Sequence, residues 1–131
     1  MTAKLRRGLT EAELRAAARW VARAYLEVER GHRDPLVLRG VVAPHIYFDI
    51  EHAERAPGAP PVGAGDIGRA AFQRLTSATG FAVVVVREPD GSWEALTMVL
   101  RRHDSGAWQF VEIVRASHYT PADVERGGSR R

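Results

Sequence analysis

The sequence predicts an α+β fold, with N-terminal helices packed on a curved antiparallel β-meander. Apolar residues recur every three or four positions through the first half of the chain, the period of a helix with one buried face. Three apolar runs separated by short Asp/Gly turns fill the last third, the pattern of consecutive hairpins. The size agrees: 131 residues, 45% of them hydrophobic, suit one compact domain. With no cysteine, a disulfide-stapled fold and a thiolate metal site are both excluded.

The first helix is announced by Thr10 and Glu13, a capping box in which each side chain satisfies the other's orphan backbone N–H. Leu14, Ala17, Ala18, Val21, Tyr25 and Val28 form its apolar face, and Gly31 stops it, so the expected span is Glu11 to about Arg30. Arg15, Arg19 and Arg23 make a basic stripe on a second face, expected to be solvated. Asp34 and Pro35 open a short helix through Leu36, Leu38 and Val41. Ala43 and Pro44 open a third, with Ile46, Ile50 and Ala53 as its packing stripe.

From Glu54 to Gly68 proline and glycine predominate, which reads as a loop or mobile lid. Asp66 caps an expected helix through Ile67, Ala70, Ala71 and Leu75, with a strand over Arg74 to Thr79 as the competing reading. The strands are expected at Phe81 to Arg87, Trp93 to Arg102 and Ala107 to Arg115. Pro89-Asp90-Gly91 and Asp104-Ser105-Gly106 supply the turns between them.

Net charge is +3, which at first suggests a nucleic-acid partner. Six of the bases, however, are Lys4, Arg6, Arg7, Arg126, Arg130 and Arg131; without them 13 bases face 16 acids, a net of −3. The chain therefore divides into a flexible basic tail over 1–9, a single α+β domain over 10–119 and a flexible Arg-rich tail over 120–131. Nucleic acid is not expected as a partner of the domain itself, and any such association belongs to the tails. The longest apolar run, Phe81 to Val86, falls far short of the roughly 20 residues that span a bilayer, and no signal-type stretch follows Met1. No membrane insertion and a cytoplasmic location are expected.

The segments AARWVARAYLEVERGHRDPLVLRGVVAPHIYFDI and FAVVVVREPDGSWEALTMVLRRHDSGAWQFVEIV, about half the chain, follow the order of the nuclear-transport-factor-2-like folds, cone-shaped α+β domains. The spacing of RDPLVLRGVVAPHIY, PDGSWEA and SGAWQF further resembles a small uncharacterised family of high-GC Gram-positive bacteria, rich in Ala, Arg and Pro and often encoded near the preprotein translocase ATPase. The resemblance implies the cone-like architecture and a possible tie to protein export. It also raises an enzymatic alternative, since such folds host isomerases and cyclases with an acid in an apolar pocket between helices and sheet. In this chain Tyr25, Tyr47, Met98, Trp108 and Phe110 are the pocket candidates, with Tyr25, Tyr47 or Tyr119 as hydrogen-bond donor. A strand between the helices and the meander, frequent in these folds, is not evident in the sequence.

Glu112 is the candidate catalytic base. Strict alternation places it with Trp108, Phe110 and Val114, and burial on that face would raise its pKa. The competing reading pairs it with Arg87, Arg101 or Arg115. His45, Asp49 and His52 share one side of the third helix as a metal trio would, yet the helical wheel turns them away from the packing stripe. No metal and no cofactor are expected. Phosphate-loop and nucleophile-elbow motifs are absent, and Ser117 and His118, being adjacent, would face opposite ways on a strand.

The run Phe81 to Val86 is apolar on both sides, so both sheet faces need a cover. The helices supply one. A second copy of the chain, meeting the face of Phe81, Val83 and Val85, is the expected other, with the segment from Glu54 to Thr79 folding back as the alternative. The function expected is thus that of a non-catalytic protein-interaction or scaffold domain acting as a homodimer, with the export machinery as a possible protein partner.

Overall fold

The computed structural model describes residues 8–56 and 58–116. The expectations for both charged tails, and for Ser117, His118 and Tyr119, lie outside these residues apart from Gly8 and Leu9. Two helices, α1 (Glu11–Glu29) and α2 (Pro44–His52), pack against one face of a four-stranded antiparallel sheet. Its strands are β1 (Ile67–Thr76), β2 (Thr79–Arg87), β3 (Trp93–Arg102) and β4 (Trp108–Ala116), in the order β1-β2-β3-β4. The fold is therefore α+β with a curved meander. No helix is long and apolar enough to cross a membrane among the described residues.

Helix α1 begins where the capping box places it: the Glu13 backbone N–H donates to Thr10 Oγ1 at 3.1 Å, and that of Thr10 to Glu13 Oε1 at 2.9 Å. It ends in a Schellman motif, with Gly31 N–H donating to the Val28 carbonyl and His32 N–H to that of Glu27. Leu14, Ala18, Val21, Leu26 and Val28 are buried along its core face. A 3₁₀ turn, Pro35–Leu38, follows, capped by Asp34 Oδ1 accepting from Leu36 N–H.

The loop before β1 is neither free nor lid-like. Arg23 donates to the Val62 carbonyl, Arg30 to those of Pro60 and Arg87, and the His32 ring bonds the Ala59 carbonyl. Arg19 holds the Gly68 and Ile67 carbonyls. The arginine stripe of α1, expected to be solvated, is in large part a row of clamps on the returning chain.

Residues 67–76 form a strand, not the helix expected behind Asp66. The Asp66 carboxylate instead accepts from Gly63 N–H and pairs with Arg87. β1 lies on the valine-rich edge of β2, with Ala70 opposite Val84 and Phe72 opposite Ala82; a strand edge with open hydrogen bonds outweighs a weak helical pattern. This strand, between helices and meander, is the one that the sequence did not reveal.

Gly91 and Gly106, with φ of 89° and 92°, occupy the left-handed position that closes the β2–β3 and β3–β4 turns. Ala82, Val84 and Val86 on β2 and Leu96, Met98 and Leu100 on β3 face the helices and are buried. Phe81, Val83 and Val85, with Thr97 and Val99, take the opposite face. The alternative cover fails for the described residues, because 67–76 joins the sheet edge to edge and 58–66 runs along α1.

In β4 the alternation breaks. Phe110 pairs with Leu100 and Glu112 with Val99, so Val111 is an extra residue in the ladder. Beyond it Ile113 and Arg115 turn to the helix side, opposite Met98 and Leu96, while Glu112 and Val114 are exposed on the other face. The expectation that Glu112 shares a face with Trp108 and Phe110 is thereby corrected.

Candidate functional site

The residues proposed as one pocket are separated in space. Met98 and Phe110 are wholly buried in the core and Trp108 nearly so. Trp108 instead receives the Arg74 guanidinium over its ring at 5.3 Å. Tyr47 lines a groove with Pro44, Phe48 and Gln109 on the outer side of α2. Tyr25 alone reaches a cavity between helices and sheet, about 220 Å³ in volume, with Val28, Ile46, Ile50 and Ile113 as apolar lining and Glu29, Asp49 and Arg55 as polar groups. That volume is below the range of about 300–1,000 Å³ usual for drug-sized ligands.

Beside this cavity lies a charge cluster that the sequence reading missed. Glu88 follows β2 and Glu94 sits on β3, both in phase with the buried residues of their strands. The extra residue at Val111 brings Arg115 to meet them. Its guanidinium lies 2.6 Å from Glu29 Oε1, 3.2 Å from Glu88 Oε2 and 3.3 Å from Glu94 Oε1, and stands over the Tyr25 ring at 5.9 Å. One cation thus serves three carboxylates.

The electrostatics follow from that imbalance. Burial pushes the Glu88 carboxyl up to about 7; Arg115 opposes the shift, while the adjacent Glu94 carboxyl adds to it. Burial also raises the Tyr25 hydroxyl, helped by the charge of Glu29. Burial works against the charge of Arg115, but Glu29, Glu88 and Glu94 together outweigh it and hold the guanidinium more firmly protonated. The parity of Glu88 and Glu94 with Val86 and Leu96 was a readable signal; that of Arg115 was hidden by the bulge.

Glu112, the candidate base, has neither burial nor a partner among the described residues, and Arg87 and Arg115 are engaged elsewhere. On α2, His52 bonds the Phe48 carbonyl through Nδ1 at 2.9 Å and stacks on its ring. No group of three metal-ligating side chains occurs among the described residues.

The second candidate site is the uncovered face of the sheet. Phe81, Val83 and Val85 sit at its middle, flanked by Val99 on β3 and by Val114 on β4. Val114 is 51% exposed and Phe81 36%, while Val83, Val85 and Val99 between them are half-buried. At one end Arg87 stacks on Trp93 at 5.3 Å. Two charged residues, Arg101 and Glu112, lie within the face on neighbouring strands.

No protein-family model, no curated protein and no solved structure matches this chain.

Proposed function

We propose that the chain is a non-catalytic interaction domain that works as a homodimer through the open face of its sheet. The observation that carries this is the apolar band of Phe81, Val83, Val85, Val99 and Val114, half-buried to exposed on the side of the sheet away from the helices. Four strands about 4.8 Å apart and about 30 Å long present roughly 600 Å² in projection, comparable to the roughly 800 Å² that each partner contributes to a standard stable interface. Burying about 400 Å² of apolar surface at about 25 cal/mol per Å² stabilises association by on the order of 10 kcal/mol before its entropic costs.

The order of elements, including the strand at 67–76, supports the reading of a nuclear-transport-factor-2-like cone. The export machinery suggested by the sequence resemblance would be a further partner of the assembled dimer.

Sedimentation of the wild type at micromolar concentration, beside Val85→Glu, tests the reading. A wild-type dimer and a folded, monomeric variant are expected. A monomeric wild type overturns it.

One observation favours a second reading, a small-molecule site: the cavity at Tyr25 and Glu29 adjoins a carboxyl, Glu88, that titrates near neutrality. In that reading the acid chemistry falls to Glu88, because Glu112 faces away. A compound that stabilises the fold in the wild type and not in Asp49→Ala would support it.

A further inference from the structure

Of the charges on the open face, Arg87 at one end is paired with Asp66, whereas Arg101 and Glu112 have no ion-pair or hydrogen-bond partner among the described residues. Both are exposed. Glu112 stands opposite Val99 and Arg101 opposite Gln109, so the two are diagonal neighbours, one strand across and two positions along. Their separation is about 7–8 Å, the ordinary diagonal spacing of a sheet.

We infer that reciprocal ion pairs between Glu112 of one copy and Arg101 of the other set the register of the dimer. This rests on the homodimer reading above. A face that is buried against a second copy cannot leave these charges unpaired without a large desolvation cost, and since the two do not pair within the chain, a partner that presents the opposite sign to each satisfies both. Two-fold symmetry then imposes reciprocity: if Glu112 meets the partner's Arg101, Arg101 meets the partner's Glu112.

The register of the sheet allows this with Val99 and Phe81 beside the axis and the rest of the apolar band to one side of it. A two-fold axis lying in the interface and passing between Arg101 and Glu112 runs obliquely across Val99 and then Phe81, which is the Val99 partner on β2. Rotation about that axis exchanges the positions of the two charges and brings Phe81 against its own copy. Arg69, at the bulge of β1, is three strands from Glu112, about 14 Å at ordinary strand spacing, and lies at the rim. The ion pairs thus select one alignment among the many that a smooth apolar face would accept.

The test is a charge exchange, read by sedimentation at about 150 mM salt, with circular dichroism to verify that each variant is folded. Glu112→Arg and Arg101→Glu each place two like-charge contacts in the homodimer, and each is expected to raise its dissociation constant at least tenfold. An equimolar mixture of the two is expected to associate as a heterodimer, and the double variant on one chain to recover the homodimer. If the wild type dimerises and Val85→Glu splits it, yet each charge reversal leaves the dissociation constant within twofold, the pairing is overturned and the homodimer stands. The pairing is likewise overturned if the single variants dissociate and mixing restores nothing. A monomeric wild type overturns both.

Discussion

Phe110 and Glu112 are two positions apart in one strand and yet face opposite sides of the sheet, because Val111 is inserted between the partners of Leu100 and Val99. This single residue sends Arg115 to its three carboxylates and Glu112 to the open face.

Deletions on either side of that irregularity should therefore differ in cost. Removing Val111 regularises the ladder and leaves Ile113 and Arg115 facing the helices, with only the packing of Val111 lost, about 1–2 kcal/mol. Removing Ile113 either keeps the bulge and turns Arg115 outward, stranding Glu29, Glu88 and Glu94, or loses the bulge and buries Glu112 opposite Met98; both leave buried charge unpaired, at about 3–5 kcal/mol. Urea unfolding of the two variants measures this, and equal losses would contradict the assigned register.

The charge cluster gives the fold a pH dependence of definite sign. The Glu88 carboxyl rises from its ordinary 4.5 to about 7 on folding, so the folded chain holds that proton more tightly than the unfolded one. Its contribution is fully present below about pH 4.5 and is lost as pH rises through about 7, a decline on the order of 3 kcal/mol. Asp66 is shifted the other way by the Gly63 N–H and Arg87, so its contribution is lost only as pH falls through the acid range, below this window. Unfolding measured between pH 5 and pH 8 should show the decline in the wild type and a flatter profile in Glu88→Gln. Parallel profiles would remove Glu88 as its source.

Gly80 is held small by a neighbour. A Cβ there would stand 2.5 Å from Cζ and 2.6 Å from Cε1 of Phe72 on the adjacent strand. Gly80→Ala should cost about 1–3 kcal/mol through the displaced ring. Most of that loss should vanish in a Phe72→Ala background, the non-additivity expected of residues in contact. Thermal unfolding of the four proteins in the cycle is the measurement, and an additive cycle would count against the contact.

What the sequence displays and what it conceals divide along physical lines. Thr10 with Glu13, the two Asp/Gly turns and the triplet Leu96, Met98 and Leu100 act through neighbours in the chain, so their roles can be read from spacing alone. β1 is different: Ile67, Ala70, Ala71 and Leu75 recur at helical intervals, and only pairing with Val83 and Val84 makes the segment extended. The site was concealed for a related reason. Alternation counted along β4 places Glu112 inside and Arg115 outside, and one bulge residue, which has no sequence mark here, reverses both. The open face of Phe81, Val83 and Val85, lying in a strand free of such shifts against β3, was legible throughout.

The fastening of the loop before β1 bears on how the protein tolerates change. Apart from the Asp66 carboxylate and the buried Val62 side chain, the side-chain hydrogen bonds that reach 58–68 from α1 and His32 end on main-chain oxygens, those of Ala59, Pro60, Val62, Ile67 and Gly68. Every amino acid carries a carbonyl, so substitutions between 58 and 65 leave those acceptors in place, whereas loss of Arg19, Arg23 or Arg30 removes donors that the loop cannot replace. The instructions for the path of this segment are thus written largely in the helix across from it, and apart from Val62, which is buried in the core, and Gly58, whose φ is 79°, its own residues are free to drift.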